Sequence, residues 1–247
     1  MSAQIVIITG AGSGIGLACA SRFLADGCQV AAIDINPLPA QLLRAGEGGS
    51  LLPLKIDVSS LEQCREAVRQ TTAKFGGLNA LCHFAGIHST RTWEEVSGEE
   101  FNRVLEVNVV GSFHMAKAAA EYMKHHGGGA IVLTSSGSIK VSGLGGGSGR
   151  GGPAYVTSKA AINGLNLALA RAFGRHNIRV NTVSPGATDT PMIAEYTEAS
   201  REAAAGRSFL GRIGQPDDVV DVARFLISDA ARFVTGEIIS VSGGGSV

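Results

Sequence analysis

Tyr155 and Lys159 stand four residues apart in the run Pro-Ala-Tyr-Val-Thr-Ser-Lys-Ala-Ala-Ile-Asn at 153–163. On a helix that spacing brings both side chains out on one face. An ammonium beside a phenol favours the phenolate and lowers a pKa that is ordinarily about 10. A phenol tuned in this way can give or take a proton near neutral pH. Taken alone, Tyr-x-x-x-Lys is weak evidence, better explained as an ordinary structural pair. The surrounding elements must decide.

Those elements begin with Ile5-Val6-Ile7-Ile8, an apolar β-branched run of the buried parallel type, which feeds Thr9-Gly10-Ala11-Gly12-Ser13-Gly14-Ile15-Gly16. A helical pattern follows at Leu17, Ala20, Phe23 and Leu24. Glycines at 10, 14 and 16 allow a tight turn, close phosphate approach and helix–strand packing, and free amides at the helix start would face a pyrophosphate. Val30–Ile33 reads as a second strand closing at Asp34. An acid there can accept from both hydroxyls of an adenosine ribose and repels a 2′-phosphate. No Arg or Lys stands at Ser13, Ile35 or Asn36 to neutralise such a phosphate, so NAD is favoured over NADP. The plain alternative is Asp34 as a turn residue.

Residues 36–50 hold a short apolar helix between prolines and glycines, and Leu51–Ile56 reads as a third strand leading to Asp57-Val58. Asp57 can meet an adenine amino group or cap the following helical segment, and the two uses are compatible. Leu78–Phe84 is a further strand delivering Ala85-Gly86, a small pair that lets the backbone approach a ribose. His83 and His88 flank it without a ligand set around them, which argues against a metal. Trp93 reads as a surface or packing anchor. Phe101–Lys124 has a long helical pattern with Asn108, a mediocre helix former, in its middle.

Ala130–Thr134 reads as a strand ending at Ser135-Ser136, where a parallel sheet places its ligands. The Gly-rich stretch 143–152 is either a flexible surface loop or a lid beside the Ser/Tyr pair. The Tyr155 helix carries small residues at Ala160, Ala161, Gly164 and Ala168, a face suited to close packing with another helix, including one from a second subunit. Asn177–Val183 is a strand followed by Ser184-Pro185-Gly186-Ala187-Thr188-Asp189-Thr190. Residues 195–208 lack a strong apolar pattern and read as a mobile segment over the substrate. Pro216–Ser228 is a helix and Gly236–Val241 a last strand. Strand and helix alternate throughout, which predicts an α/β chain: one doubly wound parallel sheet of the Rossmann type, a single domain over 1–247, with helices on both faces.

The 247 residues suffice for a large core. Lys+Arg and Asp+Glu balance at 21 each, which gives no electrostatic reason to expect nucleic acid or an anionic membrane. Charged residues are only 17%, against about 25% in soluble domains, so either an oligomer covers much of the surface or a large sheet is buried. The four cysteines (Cys19, Cys28, Cys64, Cys82) have no metal-ligand spacing and suit reduced thiols. Neither a signal peptide nor a transmembrane helix is expected, which points to a cytoplasmic protein.

Over almost its whole length the chain resembles the short-chain dehydrogenase/reductase family. The resemblance rests on Thr9–Gly16, Asp57-Val58, Ala85-Gly86, Asn108, the set Ser136, Tyr155 and Lys159, and Pro185-Gly186 with Thr190, in order. Gly211–Asp218, Phe225-Leu226 and Val234-Thr235-Gly236 extend it to the C-terminal third. It implies that Tyr155 exchanges a proton with the substrate oxygen. Lys159 lowers the tyrosine's pKa and holds the nicotinamide ribose. Ser136, favoured over Ser135 by alignment, holds the substrate oxygen. Asn108 binds, through a helix kink, a water linking Lys159 to solvent. The coenzyme falls to Gly10, Ser13, Gly14, Ile15 and Gly16 at the phosphates, with Asp34, Ile35, Asp57, Val58, Ala85 and Gly86 along the adenosine. Pro185, Gly186, Thr188 and Thr190 border the nicotinamide end, Thr190 at the carboxamide or the pyrophosphate.

Three departures stand out. Phe84 replaces the usual Asn before Ala-Gly, which removes a hydrogen bond expected to support that loop. Ser136 and Tyr155 are 19 apart (155 − 136), longer than the family interval, with the surplus in the Gly-rich loop. Ser242 replaces the usual Asp before Gly-Gly. The expectation is an NAD-dependent alcohol dehydrogenase or ketone reductase, a homotetramer, with loops 86–98, 137–152 and 187–209 around a small-molecule alcohol or ketone; small residues near Ala187 leave room for a bulky or apolar one. The rivals are a dinucleotide-sensing regulatory protein without turnover, which has no need of both Tyr155 and Lys159, and a purely structural subunit, which has no need of Asp34 or the glycines.

Overall fold

The computed structural model describes residues 4–141, 151–194 and 196–246. Its centre is a seven-stranded sheet in the order β3-β2-β1-β4-β5-β6-β7, every neighbouring pair parallel. The strands are β1 (Ile5–Thr9), β2 (Gln29–Asp34), β3 (Leu51–Lys55), β4 (Ala80–His83), β5 (Gly129–Thr134), β6 (Ile178–Pro185) and β7 (Ile238–Val241). The order reverses between β1 and β4, which opens a crevice at their carboxyl ends, where doubly wound sheets take their ligands.

Strand side chains alternate between two buried layers, as a period of two requires. Ile7, Ile33, Leu81, Ile131 and Val180 face α3 (Leu61–Phe75), α5 (Gly111–Met123) and α7 (Pro153–Phe173). Val6, Ile8, Val30, Cys82 and Val132 face α1 (Gly14–Ala25) and α9 (Pro216–Ile227). Because both faces are covered, these strands read as continuous apolar runs. All four cysteines are free and buried within these layers. Trp93, by contrast, lies out on the surface.

Local chemistry sets the helix ends. Ser60 and Ser97 hydroxyls accept from the amides of Gln63 and Glu100 at the starts of α3 and of α4 (Gly98–Leu105). Pro153 occupies the first turn of α7, where its missing N–H costs nothing. The pattern expected as one helix over 101–124 is interrupted: Glu106–Val110 forms a π turn joining α4 to α5, with Asn108 inside it. Two further short helices are α2 (Ala40–Ala45), packed with α1, and α6 (Ser138–Val141), beside α7.

One expectation changes outright. The stretch read as an unanchored mobile segment forms α8 (Glu198–Arg207). Thr197 caps it by accepting from Ser200 N, and Ala204 is its buried anchor. Alanine-rich sequence favours a helix even without a strong apolar stripe. The Gly-rich stretch expected as a loop or lid falls mostly at 142–150, outside the described residues.

Candidate active site

The glycine turn after β1 is built for close approach. A Cβ on Gly16 would sit 2.1 Å from the Gly10 carbonyl oxygen, so only glycine lets α1 lie this near the strand. Gly14 has φ +54°, and the first turn of α1 carries no acidic side chain. Amides of Ser13, Gly14 and Ile15 therefore open a helix N-terminus suited to an anionic pyrophosphate. Thr190 stands against this turn: its Cβ would lie 3.3 Å from a Cβ on Gly14.

Asp34, at the end of β2, accepts from Gly12 N (2.9 Å) and Asn36 N (2.9 Å), which fixes its carboxylate at the rim. Asp57 accepts from Ser59 N and Ser59 Oγ, at 2.9 and 2.8 Å. Burial works against its ionisation, but Ser59 and Arg103 together hold the carboxyl below its usual range. The cap of α3 is Ser60, so Asp57 acts as the acceptor of a turn one step earlier. Ala85 and Gly86 complete this side of a continuous cleft of about 380 Å³. The expected loss of support at Phe84 is met otherwise: Phe84 N and Ala85 N donate to the Thr9 carbonyl and hydroxyl, at 3.3 and 3.1 Å.

Across the switch point the cleft holds Ser136, Tyr155 and Lys159. The two serines separate cleanly. Ser135 Oγ is buried and donates to the Lys159 carbonyl (2.9 Å), whereas Ser136 lines the cleft and hydrogen-bonds the Tyr155 hydroxyl. Lys159 Nζ donates to the Thr134 carbonyl oxygen at 3.0 Å and lies 5.7 Å from the Tyr155 ring centroid. Asn108 spends its amide on the loop after β4. Its Oδ1 accepts from Ile87 N (2.8 Å), and its Nδ2 donates to Ile87 O (3.0 Å) and Ser158 Oγ (2.9 Å). Gly86 lies between, since a Cβ there would be 3.1 Å from Asn108 Oδ1 and 3.6 Å from Lys159 Nζ.

The expected acidic phenol is not what this arrangement gives. Burial pushes the Tyr155 hydroxyl up to about 12; the Ser136 hydrogen bond pulls downward without prevailing, and Tyr196 adds to the rise. Burial also brings Lys159 down to about 8. The physical reason is that both groups are desolvated while the ammonium is directed at Thr134 rather than at the phenol.

Several supporting side chains lie outside the set the sequence pointed to for chemistry, among them the two histidines it had placed beside the Ala85-Gly86 turn. His88 packs edge-on against Tyr155 with ring centroids 4.5 Å apart, and Met192 Sδ lies 3.9 Å from the Tyr155 hydroxyl. His83 is buried with Nδ1 3.0 Å from Thr9 Oγ1. None of these has a sequence signal beyond its position beside a strand end.

Fold and site together define a dinucleotide-binding oxidoreductase built on a doubly wound sheet. A family profile described as enoyl-(acyl carrier protein) reductase matches residues 10–246. The chain is 36% identical over 245 residues to a 3alpha-hydroxysteroid dehydrogenase of Mediterraneibacter gnavus, covering 97% of this chain and 96% of that one. It is 35% identical over 247 residues to the 3-oxoacyl-(acyl-carrier-protein) reductase FabG of Thermotoga maritima, covering 99% and 98%. A short-chain type dehydrogenase/reductase from Mycobacterium ulcerans superposes with a TM-score of 0.88 at 32% identity, covering 100% of this chain and 91% of that one. The chain belongs to the short-chain dehydrogenase/reductase family. No helix among the described residues is long and apolar enough to cross a membrane.

Proposed function

We propose that the protein is an NAD(H)-dependent oxidoreductase of the cytoplasm that interconverts a secondary alcohol and a ketone, with Tyr155 as the general acid and base. The observation that carries this reading is the Tyr155 hydroxyl, hydrogen-bonded to Ser136 inside the cleft and one helical turn from Lys159. Relatives named for hydroxysteroid and 3-oxoacyl substrates are consistent with hydroxyl and keto chemistry.

NAD would rest its pyrophosphate on the amides of Ser13, Gly14 and Ile15, beside Thr190. Asp34 would take its adenosine ribose, with Ile35, Asp57, Val58, Ala85 and Gly86 along the adenosine. Pro185, Gly186 and Thr188 would border its nicotinamide. When bound, the coenzyme supplies or accepts the hydride. The chain supplies the proton path and the geometry. A Tyr155 phenol with a pKa near 12 is protonated at neutral pH and stands as donor to a ketone oxygen. Ser136 would hold the same oxygen and stabilise the charge that develops on it. Lys159, still protonated at neutral pH, would hold the nicotinamide ribose. Asn108, within the π turn, would help order a water that returns the proton to solvent; its own carbonyl oxygen accepts from Ser112 Oγ at 2.6 Å. Homotetramer formation fits the exposed small residues Ala160, Ala161, Gly164 and Ala168 on α7, with Leu167 half-exposed among them.

Titration with NADH against NADPH, followed by an alcohol and ketone panel, tests the reading. Tyr155→Phe should lose turnover by at least about a hundredfold while binding NADH nearly as before. Full activity in that variant would remove Tyr155 from the chemistry.

A further inference from the structure

The cleft carries one cation whose purpose the coenzyme and the proton path do not explain. Among the described residues, four Arg or Lys side chains line it: Arg103, Lys159, Arg207 and Arg212. Arg103 is paired with Glu106, Arg212 with Asp218, and Lys159 donates to the Thr134 carbonyl. Arg207 makes no hydrogen bond or ion pair to a described residue.

Arg207 is itself exposed, and the backbone on either side of it is held in place. Arg207 ends α8, and the next residues are tied to the C-terminal segment: Phe209 N donates to Gly243 O (2.7 Å) and Ser208 Oγ to the same oxygen (3.3 Å). That segment then reaches the catalytic turn, because a Cβ on Gly137, next to Ser136, would lie 2.6 Å from Ser246 Oγ. Arg207 thus belongs to the wall that follows β5, β6 and β7. Asp34 and Asp57 follow β2 and β3, at the other end of the sheet. Met192, Ile193 and Ala204 give the same cleft apolar lining, alongside the polar Tyr196, Ser208 and Ser246. A basic residue in the last turn of α8 complements the helix dipole, but that benefit needs no placement in the cleft.

Resting on the ketone reductase reading above, we propose that Arg207 makes the pocket selective for alcohols and ketones whose apolar body ends in a carboxylate remote from the reacting carbon. A guanidinium pairs a carboxylate through two parallel hydrogen bonds, and the exclusion of water by a bound apolar body strengthens such a pair. Substrate length between carbonyl and carboxylate should then matter as much as charge.

The test uses methyl ketones carrying a terminal carboxylate, lengthened methylene by methylene, each compared with its methyl ester. At the best length the native enzyme should prefer acid over ester by roughly ten- to a hundredfold in kcat/KM. In Arg207→Gln that ratio should fall to about one, and Arg207→Lys should restore part of it. A native ratio near one at every length, or a ratio unchanged in Arg207→Gln, overturns the proposal. Calorimetric titration of the same pairs onto the protein with NADH separates this from the parent reading. Absence of turnover with every ketone sinks the reductase reading, whereas acid-selective binding lost in Arg207→Gln still upholds the anion subsite. Equal binding of acid and ester refutes it.

Discussion

Lys159 Nζ donates to the carbonyl oxygen of Thr134, 3.0 Å away, at the point where β5 ends and the cleft begins. The bond holds a buried ammonium whose burial lowers its pKa to about 8 from an ordinary 10.5. A base with a depressed folded pKa binds fewer protons folded than unfolded between those values, so stability rises with pH from about 8 to 10.5. Below that window the buried charge is a standing cost. Lys159→Met should therefore gain roughly 1–2 kcal/mol at pH 7, after the loss of the Thr134 bond, while losing at least about a hundredfold in kcat. Denaturant unfolding beside steady-state kinetics would show both, and a variant that is less stable at pH 7 would contradict the argument.

His83 acts with the same sign as Lys159, in a lower pH window. Burial, with Lys159 adding to it, takes the ring down to about 3 from its ordinary 6.5. The unfolded chain then binds more protons between those values, so stability present above 6.5 is lost as the pH falls. Roughly 2 kcal/mol should be gone by pH 5. His83→Asn keeps a polar partner for Thr9 but cannot titrate, so its stability should be flatter between pH 7 and pH 5. Identical slopes in the two proteins would place the acid sensitivity elsewhere.

Asp34→Ala removes the acceptor from two backbone amides and the negative charge from the rim. Preference for NADH over NADPH should shrink by roughly tenfold or more, the weight of one lost charge interaction of about 1.4 kcal/mol. Competitive binding of the two coenzymes reads this directly. An unchanged preference would assign the selectivity to other residues.

Gly16→Ala asks for a methyl group 2.1 Å from the Gly10 carbonyl. Either α1 moves away or the turn deforms, at roughly 1–3 kcal/mol. Thermal unfolding should record that loss, and NADH affinity should fall with it because the amides move too. Gly27→Ala is the useful control: no atom lies within 4 Å of its added Cβ, but its φ of +82° should cost only backbone strain.

Much of this architecture was readable because the central strands are buried on both faces and end in distinctive residues. The glycine turn, Asp34 and the Tyr155–Lys159 spacing all lie in such local patterns. Strand ends shifted by one or two residues, as with Leu78–Phe84 against the observed Ala80–His83, because apolar runs spill beyond the ladder. The direction of the Tyr155 pKa was not readable. Four-residue spacing places Lys159 on the right face, but only the fold reveals that Thr134 claims its ammonium and that burial outweighs Ser136. The second layer of support, Thr9 to His83 and Asn108 to Ile87, spans residues 74 and 21 apart in the chain, beyond the reach of any local pattern.

The π turn at Glu106–Val110 has a consequence for how this chain can change length. A π turn holds one residue more than the α-helical ladder needs. Removing one residue there would let the ladder close as an ordinary α-helix, with α4 and α5 keeping nearly their present faces. What it would cost is the aim of Asn108, whose amide would leave Ile87. A one-residue deletion here should therefore spare folding more than activity.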